Sequence, residues 1–425
     1  MLESIVREQL LAHCFSTDCI PDEQFGFLPK RSTVWQLLTI LEEWEQTLDE
    51  GGHVHACFLD VAKAFDRVDH GLLLQKLSSI GLTGITLTWF QSYLSERSIC
   101  TTVDSVRSSL RRITSGVPQG SVLGPLLFVI FFRDLPAAVR SSCALFADDT
   151  LLYSCCTGGG QQCCSQRYLD CASQWAGDWA TTFNPEKSVH MVVSRRQRAA
   201  VNLTLGSIAI PPAQETRHLG VRISSNLTWS THIQDVIKRT SYKVFILKRL
   251  AFRCGANAFI KKLYIALLRP VLEYAGPAWD SCSKRDTAAL ERIQLGVARA
   301  ILRKGRRLLS NADVLRTIGW PTLAWRRRRY KLLLFWRLLR GEGPPSLQGQ
   351  LPATVTARTS YSFRNNASLQ FPMCSSRRRL QSFIPSATCI WNSLPSDVTS
   401  SSSAPSFLRC LDSSFQSDKY SLGLP

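Results

Sequence analysis

Apolar residues fall in two distinct rhythms along the chain. Between Val34 and Leu48, Trp35, Leu38, Leu41, Trp44 and Leu48 recur at three- and four-residue spacing, which predicts an amphipathic helix ended by Gly51-Gly52. The segment HVHACFLDVAKAF then reads as a strand running into a turn. Helices follow around Leu72–Leu77, closing at Gly81, and around Thr86–Leu94, with a weak hairpin between Ile99 and Ile113. PLLFVIFF, from Pro125 to Phe132, is apolar on all sides and predicts an element buried all round. CALFADDTLLY is two short apolar runs meeting at an acidic pair, the pattern of a strand–turn–strand hairpin.

Beyond the Gly158-Gly159-Gly160 loop, Tyr168–Phe183 has helical periodicity, SVHMVVS alternates like a strand, and VNLTLGSIAIPPAQETRHLGVRIS suggests a small β unit. From Ser230 to about Arg340 the pattern is helical throughout. The remainder, rich in Ser, Pro and Arg, reads as a loosely ordered tail with short ordered pieces such as that around Trp391. These segments describe an α+β chain, divided into residues 1–50, 51–229, 230–340 and 341–425. No run of about 18 apolar residues and no signal-peptide pattern is present, which leads us to expect an intracellular protein, nuclear or cytoplasmic, with no membrane partner.

Charge sharpens the division. The net value is +19, yet residues 1–150 hold 12 Lys/Arg against 18 Asp/Glu. The stretch 236–340 holds 25 basic and 5 acidic residues. A basic arm on a mildly acidic body points to a polyanion such as nucleic acid; the plainer alternatives are a solvated basic face or a trafficking signal at Arg326–Arg329. Tyr242, Phe245, Tyr264, Trp325, Tyr330 and Trp336 are interleaved with that charge, where they either stack on bases or fill a core. Among 15 cysteines, Cys155-Cys156, Cys163-Cys164 and Cys171 are close enough to suggest a metal cluster. No histidine follows at finger-like spacing, so free thiols are the simpler reading.

The candidate chemistry lies in three segments. CFLDVAKAFDRVDH sets Asp60 at the end of an apolar strand, and ALFADDTLL sets Asp148 and Asp149 at a hairpin apex. Aspartate is disfavoured in strands, and adjacent carboxylates repel unless a cation compensates them; two hard divalent ions would do so. TSGVPQGSVLGPLLFVIFF places glycines at 116, 120 and 124 and prolines at 118 and 125 just before the buried run, with Gln119 offering an amide within the turn.

In order and spacing these segments resemble the palm motifs of reverse transcriptases, and FADD resembles the form found in non-LTR (LINE-type) retrotransposons. QFGFLPKRSTVWQLL is similar to the fingers segment just upstream of the palm, and FNPEKSVHMVVS to the motif after the hairpin. RHLGVRISSNLTWSTHI resembles the primer grip of such elements, and LLRPVLEYAGPAWD with LERIQLGVARAI their thumb. The resemblance implies a right-hand polymerase with partial fingers (1–50), an antiparallel-sheet palm (51–229) and a helical thumb (230–340). It implies an RNA-directed DNA polymerase that adds deoxynucleotides to a DNA primer on an RNA template and holds the RNA–DNA hybrid. The alternative is a catalytically inactive nucleic-acid-binding remnant.

By the same resemblance, Asp60, Asp148 and Asp149 bind two Mg²⁺ (or Mn²⁺) ions with the Val61 carbonyl. Phe65 gates the sugar 2′ position, Gln119 and Gly120 line the nucleotide, and Lys187 is a general acid for pyrophosphate. Two departures are visible: the upstream basic fingers strands have no counterpart, and Leu28 stands where relatives carry arginine. Both lead us to expect an N-terminally shortened version of the family.

Overall fold

Apolar residues on both faces of one strand make it the centre of the first packing unit. Strand β1 (His53–Val61) is buried at nearly every position, because its neighbours cover it on both edges and helices or loops cover both faces. The computed structural model describes residues 1–157, 165–196, 198, 201–254, 257–303, 309–355, 368–414 and 419. The chain packs as two units, Met1–Gln36 with Gly51–Leu219, and Leu37–Glu50 with Gly220–Pro425.

In the first unit, helix α1 (Leu2–Ser16) precedes the start of α2 (Thr33–Asp49), and β1 leads through a turn to α3 (His70–Ser79) and α4 (Gly84–Leu94). Two small exposed ladders follow, pairing β2 (Ser98–Ile99) with β5 (Arg111–Arg112) and β3 (Thr102–Val103) with β4 (Val106–Arg107). Helices α5 (Gly124–Phe131) and α6 (Leu135–Val139) then lead to the hairpin β6 (Ser142–Phe146) and β7 (Asp149–Cys156). Helix α7 (Ser165–Asp178), β8 (Phe183–Val193), β9 (Leu203–Leu205), β10 (Ile208–Ile210) and β11 (Glu215–His218) complete the unit. Its main sheet is antiparallel in the order β6-β7-β1-β8.

As expected from its composition, α5 is enclosed throughout, and Leu126 to Phe131 form the middle of the core. One polar group is built into that core. Lys76 of α3 is fully buried, ion-paired to Asp134 and set over the Trp179 ring at 3.4 Å, while Trp175 Nε1 donates to the same carboxylate at 2.9 Å. Burial lowers its pKa to about 8. The carboxylate and the aromatic faces together compensate the desolvated ammonium.

The second unit takes residues 37–50 of α2 and is otherwise helical after β12 (Val221–Ser224). Helices α8 (Ser230–Cys254) and α9 (Asn257–Leu263) are followed by a π-helical turn, Tyr264–Leu268, and α10 (Arg269–Glu273). Pro270 has no N–H for the carbonyl four residues earlier, which accounts for the widened turn before it. Short α11 (Gly276–Trp279) precedes α12 (Lys284–Leu302), α13 (Asn311–Ile318) and α14 (Leu323–Leu339); Ser283, Ser310 and Thr322 cap these three. Around α14 the packing is aromatic: Phe335 meets Trp391 at 5.8 Å, and Trp336 stacks on Phe407 at 5.6 Å.

Those partners come from the segment expected to be a loosely ordered tail with short ordered pieces, one of them around Trp391. Within 368–414 it forms α16 (Arg377–Gln381), α17 (Phe383–Asn392), α18 (Ser396–Thr399) and α19 (Ala404–Ser414), after α15 (Pro345–Gln348). Helices of three turns or fewer show little periodicity in sequence, so their apolar anchors Phe383, Trp391 and Phe407 look isolated there. The division between units falls at Gly220, ten residues before the expected start of the thumb. The Gly158–Gly160 loop and the doublet Cys163-Cys164 lie outside the described residues.

A buried ion pair fastens α16 to α2 inside this unit. Arg379 Nη1 sits 2.6 Å from Glu42 Oε1, with side-chain exposures of 9% and 1%. Ser382 Oγ and the Ile384 N–H also donate to the same carboxylate. Burial nevertheless raises the Glu42 pKa. Arg379→Ala therefore leaves a buried carboxylate without its cation and should destabilise the protein by about 3–5 kcal/mol in denaturant unfolding. Replacing both partners together, as Glu42→Leu with Arg379→Met, should recover most of that loss.

Candidate active site

Three carboxylates meet at one end of the β6-β7-β1-β8 sheet, and the strand register explains why. Leu59 of β1 pairs with Thr150 of β7, so the next position sets Asp60 opposite Asp149 on the same face. Asp148 is at the hairpin apex between β6 and β7. Like charges opposed across strands destabilise a sheet. Partial desolvation, then Asp148 and then Asp60, push the Asp149 pKa up to about 6. Asp148 is raised too, by desolvation first and then by Asp60, although a backbone hydrogen bond opposes the shift.

The neighbouring strand bulges to bring a cation to this cluster. Along β1·β8, Phe58 pairs with Val189 but Asp60 pairs with Asn184, so β8 carries extra residues between them. The bulge is held locally: Ser188 Oγ donates to the Asn184 carbonyl at 2.7 Å and accepts from the Asp60 N–H at 3.2 Å. Lys187, at its exposed crest, places Nζ 3.8 Å from Asp60 Oδ2. Lys187 belongs to strand β8, and the bulge gives its position a physical cause.

The apex is also braced from a segment whose role here was not anticipated. Gln24 Oε1 accepts from the N–H of Gly26 at 2.8 Å and from that of Ala147 at 3.0 Å. Ala147 has φ +58, an uncommon conformation for a residue with a β-carbon. Phe25 N–H donates to Leu145 O at 2.7 Å and Leu145 N–H to Glu23 O at 2.8 Å, so 23–26 lies against the edge of β6. A β-carbon on Gly26 would come within 2.4 Å of Ala147 N, which restricts that position to glycine. Arg31 secures the same segment by donating to the carbonyls of Pro21 and Gln24. A glycine between two phenylalanines was the available sequence signal. Leu28, in place of the family's arginine, is buried in the core of the unit.

The remaining expected residues surround the turn after β1. Val61 is buried at the end of the strand, paired with Phe183. Phe65 stacks on Phe128 at 4.4 Å and meets Phe27 edge-on at 6.1 Å, which fixes its ring. Gly116, at φ +92, lets the Pro-Gln-Gly turn touch this loop: its N–H donates to Val68 O, and a β-carbon would press on Asp66 and Phe65 backbone at 2.9 Å. Gln119 Nε2 donates to Asp66 Oδ1 at 2.8 Å. Gly120, at φ +82, has open space on its β-carbon side. Glu3 of α1 accepts from the N–H groups of Val122 and Leu123 at the start of α5, a favourable place for a carboxylate.

As a donor set, three converging carboxylates, two of them with raised pKa values, suit a hard divalent cation. Among the described residues Lys187 is the cation seen to pair with them. Gln24→Ala removes the acceptor shared by two buried N–H groups. It should cost about 1–3 kcal/mol in denaturant unfolding.

In the comparisons, the family described as "Reverse transcriptase (RNA-dependent DNA polymerase)" matches residues 1–223. The RNA-directed DNA polymerase from mobile element jockey of Drosophila melanogaster is 29% identical over 322 residues, 71% of this chain and 34% of that protein. Its Drosophila funebris counterpart is 30% identical over 315 residues, with the same coverage. The probable RNA-directed DNA polymerase from transposon X-element is 29% identical over 314 residues, covering 71% and 34%. The chain thus spans about a third of the length of these curated relatives. A solved structure of apo telomerase from Candida tropicalis aligns with TM-score 0.40 at 10% identity, covering 76% of this chain and 55% of that one. With its sequence motifs set on an antiparallel sheet and the family match covering more than half of it, the chain belongs to the reverse transcriptase (RNA-dependent DNA polymerase) family, in its LINE-type branch.

Proposed function

We propose that this chain is an RNA-directed DNA polymerase that joins deoxynucleotides to the 3′-hydroxyl of a DNA primer on an RNA template. The observation that carries the reading is the convergence of Asp60, Asp148 and Asp149 on one sheet end, braced by Gln24. These residues would hold two Mg²⁺ ions, or Mn²⁺, with help from the Val61 carbonyl. Bound there, the ions supply Lewis acidity to the attacking hydroxyl and charge neutralisation to the triphosphate.

The chain's own residues provide the rest. Phe65, locked between Phe27 and Phe128, presents an aromatic wall against a ribose 2′-hydroxyl. Gln119 and Gly120 line the nucleotide; to reach it, Gln119 exchanges its bond to Asp66 for one to the ligand. Lys187, close to Asp60, would donate a proton to departing pyrophosphate, an effect worth about 10²–10⁴-fold.

The basic region contributes through one helix face more than through its total charge. Arg326, Arg327 and Arg329 are engaged within the second unit by Glu273, Asp280 and Asp412, and Lys331 also pairs with Asp280. Tyr264, Trp325 and Trp336 are buried. On α8, by contrast, Lys238, Lys243, Arg249 and Arg253 are exposed beside Tyr242 (74%), Phe245 and Phe252 (81%), while Arg239 pairs with Asp235 of the same helix. Cations that meet phosphates, with rings that stack on bases, are the chemistry of a backbone-tracking surface for template, primer and hybrid.

The deciding experiment measures dNTP incorporation on a primed RNA template with Mg²⁺. The wild type should extend the primer and Asp148→Ala with Asp149→Ala should not. Equal incorporation by both, or none by either, sinks the polymerase reading; in the second case, retained hybrid binding would favour an inactive nucleic-acid-binding remnant. Phe65→Val should raise ribonucleotide use relative to deoxynucleotide by about 10–200-fold, the range for reshaping an apolar pocket. Lys238→Ala and Arg253→Ala should each lower the slope of log affinity against log salt by about 1 without changing sequence preference.

A further inference from the structure

At the opposite end of β1 from Asp60, two imidazoles and a thiol converge. His53 and His55 are two residues apart and so share one face of the strand, and His53 pairs directly with Cys156 of β7. Their donor atoms all lie within 4.8 Å of one another. Five residues of strand, about 17 Å, separate His55 from Asp60, so the group is distinct from the carboxylate cluster. His55 and Cys156 are 4% and 3% exposed, and His53 is half-buried, leaving one side open to an ion.

We infer that His53, His55 and Cys156 form a Zn²⁺ site that clips the start of β1 to the end of β7. Two imidazole nitrogens and a thiolate are a donor set that zinc prefers, and a water would fill the fourth tetrahedral position. Tetrahedral zinc needs donors about 3.5 Å apart, a contraction within reach of small side-chain rotations.

The surroundings favour the ligand form of the rings. His55 Nδ1 lies 3.1 Å from His190 Nε2, with the planes of the two rings parallel to within 1°. A ring that donates Nδ1–H to such a partner is held in the tautomer whose Nε2 lone pair faces outward, the usual support for a metal-bound histidine. Desolvation, His190 and His53 lower the His55 pKa to about 4, and desolvation lowers those of His53 and His190, so all three rings are neutral near pH 7. Arg198 acts electrostatically on His53 and His55 and opposes a dication. The negative charge of a bound Cys156 thiolate offsets it. Cys155, the other half of the doublet, belongs to the opposite face of β7 by strand alternation, and Cys171 is on α7. The metal signal in the sequence was thus a pairing of Cys156 with histidines upstream of it, contributed by a neighbouring strand.

The test titrates the purified, reduced and chelator-treated full chain with Co²⁺, followed by competition with Zn²⁺. One equivalent of Co²⁺ should give a thiolate-to-metal charge-transfer band that Zn²⁺ removes. Cys156→Ser should lose that band, and His53→Gln, at a half-buried position, should weaken binding at least tenfold. Zn²⁺ should raise the melting temperature of the wild type and of the Asp148→Ala, Asp149→Ala variant, and leave that of Cys156→Ser unchanged. A band of equal strength in wild type and Cys156→Ser would assign the metal to other cysteines and overturn the site. So would unchanged affinity in His53→Gln, or the absence of a Zn²⁺-dependent rise in wild-type melting temperature.

Discussion

Electrostatic repulsion among Asp60, Asp148 and Asp149 is the constraint around which the first unit is organised. Opposed carboxylates push a hairpin apart unless its backbone is held from elsewhere. Here the holding is distributed. The β1–β7 register fixes the spacing, the β8 bulge supplies Lys187, and the Gln24 carboxamide ties down Ala147. Beneath them, α5 offers a rigid apolar floor whose Phe128 also positions Phe65. Partial desolvation first, and then Asp148 and Asp60, raise the pKa of Asp149 within this scaffold.

The helical unit handles charge in the opposite manner. Its arginines on α14 face carboxylates of the same unit, with Arg327 and Lys331 nearly inaccessible around Asp280. Burial alone would raise the Asp280 pKa, yet these two cations hold it below the ordinary range. A run of four arginines in sequence is therefore mostly internal architecture, while exposed cations and rings lie together on the outer face of α8. Net charge by itself does not separate these roles; partner geometry does.

What could be read from sequence followed the range of the interactions involved. The stripe from Trp35 to Leu48, the buried α5 and the FADD hairpin depend on local periodicity, and each was visible. The three aspartates were legible because they sit inside such patterns in a fixed order. Gln24, Arg31 and Ser188 were not, since their value lies in backbone groups that only tertiary structure brings near. For the same reason 368–414 read as tail: α16 to α19 are short, and their anchors find partners in α2 and α14, far away in sequence.

The brace at Gln24 makes the stretch from Pro21 to Arg31 and the hairpin apex a single mechanical element. Gly26 meets Ala147 with no room for a β-carbon, and the peptide groups on either side are hydrogen-bonded across the same seam. A displacement of that stretch is transmitted to Asp148 through one residue of backbone, with little side-chain compliance to absorb it. The stretch from Pro21 to Arg31 thereby acts as a lever on the carboxylates, so that its position and their alignment change as a single motion.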